Sequence, residues 1–116
     1  METEEKLQFI MEHDPESTER LKRLLERKTF LMDGNVYGER FTERQFDLVF
    51  APLLAASYER ARLLDALSEG EKTVHQLAGT LSLDPARVFD HLKELMRRNL
   101  VDIVRFDERN PVFRKR

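Results

Sequence analysis

A chain of 116 residues with 41% apolar and 36% charged residues can bury one hydrophobic core with one appended helical element, and leaves little room for a second independent domain. The absence of cysteine excludes disulfides, thiolate metal sites, iron–sulfur ligation and a cysteine nucleophile. Net charge is −2, and the longest uncharged run, Leu48 to Tyr58, is eleven residues with a proline inside, too short to span a bilayer.

The charge is polarised along the chain. From Asp84 onward nine Lys/Arg face six acids, whereas the first 83 residues hold eleven bases and sixteen acids. A basic C-terminal end in an acidic chain is compatible with a weak nucleic-acid face there. The first dozen residues, METEEKLQFIME, are acidic and lack the basic start and small-residue cleavage site of an export signal, so a cytoplasmic location is expected.

Residues 2 to 12 suit a short helix that stops before His13-Asp14-Pro15. Asp14 is placed to cap a second helix with Pro15 at its first position, and Leu21, Leu24, Leu25, Lys28 and Leu31 then recur at helical spacing, predicting a helix over 15–31. Its outward residues Glu19, Arg20, Arg23, Glu26 and Arg27 read as ordinary solvated surface. Met32 to Phe41, with two glycines and an Asp-Gly pair, predicts a turn or small hairpin. Thr42-Glu-Arg-Gln45 is a capping box, and behind it Phe46, Val49, Phe50, Leu53, Ser57, Ala61, Leu64 and Leu67 repeat every three or four residues. A helix over 43–68 follows, and Pro52 inside it is expected to kink or split it.

Ser68-Glu-Gly70 stops that helix, and Thr73-Val-His-Gln76 is a second capping box opening a short helix to about Leu81. Ser82-Leu-Asp-Pro85 predicts a tight turn in which Asp84 caps and Pro85 opens a helix over 85–98, with Asn99 suited to a left-handed end. Leu100 to Phe106 alternates in the manner of a strand, Asp107 to Asn110 turns, and Val112 to Lys115 returns antiparallel. Helix, short helix, tight turn, helix and hairpin is the order of a winged helix-turn-helix. The fold expected is mainly α with a small β-hairpin wing, divided into a helical extension over 1–57 and a winged helix-turn-helix over 58–116.

Val88, His91, Leu92, Lys93, Leu95, Leu100 and Val101, preceded by TVHQLAGTLSLDPAR, resemble the ArsR-type winged-helix repressors, whose third helix commonly reads V-S-x-H-L-x-x-L before G-L-V. The resemblance covers about Tyr58 to Arg116. It implies a dimer that inserts the third helix into the major groove and lays the wing along the backbone. On that basis Arg87, Lys93, Arg97 and Arg98 are expected at the groove or its phosphates, and Arg105, Arg109 and Arg114 at the flanking backbone, with Lys115 and Arg116 beside the wing. The metal-sensing members often use cysteine, so any effector here needs another chemistry, and neither metal nor cofactor is expected. With no helix after the wing, homodimer pairing should fall to 15–31 and 43–68, where Phe30, Phe41, Phe46, Phe50 and Tyr58 concentrate aromatic area. The same aromatics serve equally well as one monomer's core.

This sequence departs from the family pattern on the helix itself. At 100° per residue, Val88, Leu92, Leu95 and Asn99 form the inward stripe, and Ala86, Asp90, Lys93, Glu94 and Arg97 the outward one. Asp90 and Glu94 would repel phosphate unless Arg87, Lys93, Arg97 or Arg98 neutralises them. Phe89 replaces the usual serine and forms an apolar edge with Met96. Either Phe89 folds back into the core, or the edge docks a protein.

Two functions follow: a transcriptional regulator reading duplex DNA, or an interaction module of a larger protein assembly that keeps the fold without reading DNA. An enzyme is not expected, because no nucleophile has a visible base partner. His13, His75 and His91 lack the i, i+4 spacing of a metal pair, and His91 reads as a packing or hydrogen-bonding residue.

Overall fold

Asp14 ends one helix and begins the next. In the computed structural model, which describes residues 1–28 and 42–116, α1 (Thr3–His13) gives way to α2 (Pro15–Glu26) at this single non-helical residue, with φ −149° and ψ 74°. Its carboxylate accepts from the Ser17 backbone N–H at 3.4 Å and the Ser17 hydroxyl at 2.6 Å. Buried at 2% exposure, it satisfies an orphan N–H of the first turn of α2 and a hydroxyl, both on the buried Ser17. The predicted hairpin over 32–41, Phe30, Phe41 and the last residues of the predicted 15–31 helix lie outside the described residues.

The third helix, α3 (Glu43–Ser68), starts at the Thr42 box, where the Thr42 N–H donates to Gln45 Oε1 at 2.8 Å and the Gln45 N–H to Thr42 Oγ1 at 3.0 Å. Pro52 does not split it: the helix runs unbroken past the ring. Pro52 and Leu48, the residue whose carbonyl loses its N–H partner to the ring, are both exposed, so the lost hydrogen bond falls on the solvent side of the helix.

The chain divides into two compact units, Met1–Tyr58 and Glu59–Arg116, and α3 runs from the first into the second. In the first unit Ile10, Leu21, Phe46, Phe50 and Leu54 are buried. Phe46 stacks on Phe50 at 5.5 Å, and Phe9 meets Tyr58 edge-on at 5.5 Å.

In the second unit, α3 supplies Leu63, Leu64, Ala66 and Leu67 to a core that α4 (Val74–Leu81) joins with Leu77, Ala78 and Leu81, and α5 (Pro85–Arg97) with Val88, Leu92 and Leu95. The Thr73–Gln76 box opens α4, and Ser82 closes it at φ 56°, with the Leu83 N–H reaching back to the Ala78 carbonyl at 3.1 Å. Asp84 then caps α5 through the Ala86 N–H at 2.8 Å. Asn99, at φ 60°, ends it in a left-handed turn, with Leu100 N–H bonded to Leu95 O at 2.9 Å and Asn99 N–H to Met96 O at 3.0 Å. Asn99 is exposed, so it serves as a terminator and not as part of the inward stripe.

The sheet holds one strand more than the sequence pattern predicts. Antiparallel β2 (Val101–Asp107) and β3 (Asn110–Lys115) form the hairpin, and the two-residue β1 (Lys72–Thr73) pairs with the other edge of β3, giving the order β1-β3-β2. Val101 and Phe113 carry the sheet into the core. Glu108 and Arg109, both at positive φ, make the two-residue turn. The register shifts between Ile103 and Arg105, so Ile103 opposes Phe113 while Arg105 opposes Val112. Strict alternation would put Arg105 on the face of Ile103; the bulge moves it to the face of Asp102 and Arg114. This is a winged helix-turn-helix preceded by helices.

Candidate nucleic-acid interface

Burial of Val88, His91, Leu92 and Leu95 fixes which side of α5 faces out. Ala86, Arg87, Phe89, Asp90, Lys93 and Arg97 are exposed, and Glu94 is half-buried. Each acid of this face has a cation beside it. Lys93 Nζ lies 3.2 Å from Asp90 Oδ1, and Arg97 grips Glu94 with two hydrogen bonds, Nε to Oε2 at 3.0 Å and Nη2 to Oε1 at 2.5 Å. That fork holds the Glu94 carboxyl below the usual carboxylate range, with Arg60 and Arg98 adding to the field. The neutralisation that the i, i+3 spacing allows is therefore present on the helix.

Phe89 does not enter the core: it is 40% exposed, with the Lys93 ammonium 5.2 Å from its ring centre. Met96, its partner in the predicted apolar edge, packs against the core instead.

Arg87 is compensated from another helix. Its Nε donates to Glu59 Oε2 at 2.6 Å, and the same oxygen lies 2.6 Å from His91 Nε2, one turn further along α5. Burial alone pushes the Glu59 carboxyl up; the hydrogen bonds from His91 and Arg87 and the Arg87 charge outweigh it and hold the group below its ordinary range. His91 is thus a buried hydrogen-bonding residue, the role its sequence position suggests. Glu59 went unnoticed in the sequence because its partners lie 28 and 32 positions away.

The wing cations are similarly engaged. Arg105 pairs with Glu71, Arg114 Nε lies 3.0 Å from Asp102, and Arg116 Nε lies 3.5 Å from the same carboxylate. Lys115 reaches the Ser68 hydroxyl at 3.4 Å. Arg109 sits exposed at the hairpin tip, and Arg98 is half-buried at the C-cap of α5. The arrangement thus exposes Arg87, Lys93 and Arg97 along α5 and sets Arg105 and Arg114 on one face of the wing, each of the five beside a carboxylate. Among the described residues, no three His, Asp or Glu side chains group as a metal site, and no helix is long and apolar enough to cross a membrane.

The α4–turn–α5 unit lies wholly inside a segment that matches a family model. Residues 58–102 match the family model of the bacterial regulatory protein, arsR family. The matched segment runs from the second half of α3 through α4 and α5 into the start of β2, leaving out the return strand of the wing and the first 57 residues. The resemblance carried by Val88, His91, Leu92, Leu95 and Val101 therefore holds over the helix-turn-helix. No curated protein and no solved structure shows significant similarity to the chain.

Proposed function

We propose that the protein is a cytoplasmic, homodimeric transcriptional regulator that reads duplex DNA with α5 in the major groove and the β2–β3 wing on the adjoining backbone. The observation that carries this reading is the exposed polar face of α5, mounted on a helix-turn-helix within the segment that matches the arsR family. Arg87, Lys93, Arg97 and Arg98 are assigned to the groove and its phosphates, and Arg105, Arg109 and Arg114 to the flanking backbone. The first unit, with α2 and the first half of α3, is assigned to pairing.

Fluorescence anisotropy of the purified protein on the DNA upstream of its own gene and on a scrambled duplex, each across a salt series, tests it. Tighter, saturable binding to the upstream duplex, with a salt slope worth several phosphates, is expected; no binding to either at low salt refutes it.

One feature supports a second reading, a winged-helix module that docks on protein. The cations of α5 and the wing are largely cancelled by carboxylates, and Phe89 stands exposed. In that case purification at native expression levels returns a stoichiometric protein partner, and recovery of the homodimer alone counts against it.

A further inference from the structure

The carboxylates treat the cations of α5 differently. Glu94 takes both Nε and Nη2 of Arg97, occupying most of its donor fork. Lys93 has no fork, and Arg98 is half-buried with its Nε enclosed. Glu59 takes only the Nε of Arg87, whose side chain is 54% exposed, so the Nη1 and Nη2 donors are left unengaged by that carboxylate. The carboxylate is enclosed and shared: Glu59 is 15% and His91 10% exposed at the side chain, and one Glu59 oxygen accepts from both Arg87 and His91.

Two physical consequences follow. The rotamer freedom of Arg87 is given up on folding, so less is lost when it binds. Its charge is also offset by Glu59, which lowers its worth to a phosphate, where counterion release counts net charge, without weakening the direction of its Nη donors. An arginine cancelled in charge but fixed in direction suits a base edge better than a backbone oxygen. The end-on pair of Nη donors matches O6 and N7 of guanine in the major groove. Arg87 is also the third residue of α5, in the first turn, and the N-terminal residues of a recognition helix are those that meet base edges.

We infer that Arg87 is the specificity residue for a guanine in the target duplex and that Glu59, braced by His91, is its positioning residue. This assignment rests on the DNA-binding reading above.

The test uses the full chain and a pool of duplexes with a randomised core, from which bound sequences are selected. Anisotropy is then measured on the selected duplex and on its single base-pair substitutions, across a salt series. The expected result is one G·C pair whose replacement weakens wild-type binding roughly five- to 150-fold. Arg87→Lys, which keeps the charge and loses the fork, should abolish discrimination at that pair while leaving the other positions and the salt slope unchanged. Glu59→Gln should weaken discrimination at the same pair; Glu59→Asp supplies the same readout if thermal unfolding shows that Glu59→Gln does not fold. An unaltered base profile in Arg87→Lys overturns the inference, as does an Arg87→Ala variant that weakens every duplex equally with a salt slope smaller by about one, the signature of a phosphate contact. A normal profile in a folded Glu59 variant removes Glu59 from the positioning role. Failure of the wild-type chain to enrich any sequence overturns the DNA-binding reading and this inference together, whereas enrichment with an unaltered Arg87→Ala profile overturns this inference alone.

Discussion

Replacing Asp90 with Asn and Glu94 with Gln together should make DNA binding steeper in salt. In the native protein Asp90 lies 3.2 Å from Lys93, and Glu94 binds Arg97 through two hydrogen bonds, so neither cation presents a full positive charge to the groove. The double substitution removes both carboxylates, keeps side-chain volume, and withdraws the Asp90 charge from Lys93 and the Glu94 charge from Arg97 on the outward face. Two more effective phosphate contacts steepen the dependence of log affinity on log salt by about 1.8. Between about 50 and 200 mM salt this amounts to about a twelvefold greater loss of affinity than the wild type shows. Stability should fall by no more than about 1 kcal/mol, because helical pairs at this spacing contribute about 0.2–0.5 kcal/mol each. Anisotropy on a fixed duplex at five or six salt concentrations reads the slope, and circular dichroism confirms the helix. Parallel salt lines for the two proteins would refute the placement of this face against phosphate.

Leu92→Ala empties a fully buried position in the second unit and should cost about 2–5 kcal/mol in urea unfolding, since the cavity adds to the lost transfer energy. Thr73→Ala and Asp84→Ala each delete a helix cap and should cost about 0.5–2 kcal/mol by the same measurement. Because the Glu59 carboxyl titrates below its ordinary 4.5 when folded, the unfolded chain takes up the proton first on acidification. Its stabilising contribution is therefore complete above the ordinary carboxylate value and disappears as the pH falls through the folded value. Unfolding curves from pH 7 to pH 3 should fall less steeply for Glu59→Gln than for wild type, and parallel curves would show that Glu59 is not held below its ordinary range.

The helix ends were legible because their chemistry is local. Thr42 with Gln45, Thr73 with Gln76, and Asp84 before Pro85 each satisfy orphan N–H groups within three residues, and each begins a helix in the structure. The pairing of Asp90 and Glu94 was legible as one of several options, since partners three residues apart share a helix face. Strand β1 was not, because two residues carry no alternation and Lys72-Thr73 is extended only where the edge of β3 is offered to it. The placement of Arg105 on the sheet face of Asp102 and Arg114 was not either, because it depends on a one-residue bulge that no pattern in Val101 to Asp107 announces. Glu59 lay furthest from view: it is an ordinary charged residue on α3 until the fold brings Arg87 and His91 to the same oxygen.

The same carboxylates that argue against strong DNA attraction argue for selective recognition. Non-specific binding grows with the number of uncompensated cations, while discrimination between bases grows with the number of donors held in a fixed direction. On α5 and the wing, pairing of Lys93 with Asp90, Arg97 with Glu94, Arg105 with Glu71 and Arg114 with Asp102 lowers the first quantity. The Glu59 brace on Arg87 raises the second. On the proposed DNA-binding reading, an acidic chain built this way gives up affinity for arbitrary duplex before it gives up affinity for its own site, and competing genomic sequence is the quantity against which a regulator's specificity ratio is measured. The acids of the recognition face are therefore consistent with DNA reading provided that hydrogen-bond direction, more than net charge, supplies the binding energy at the target.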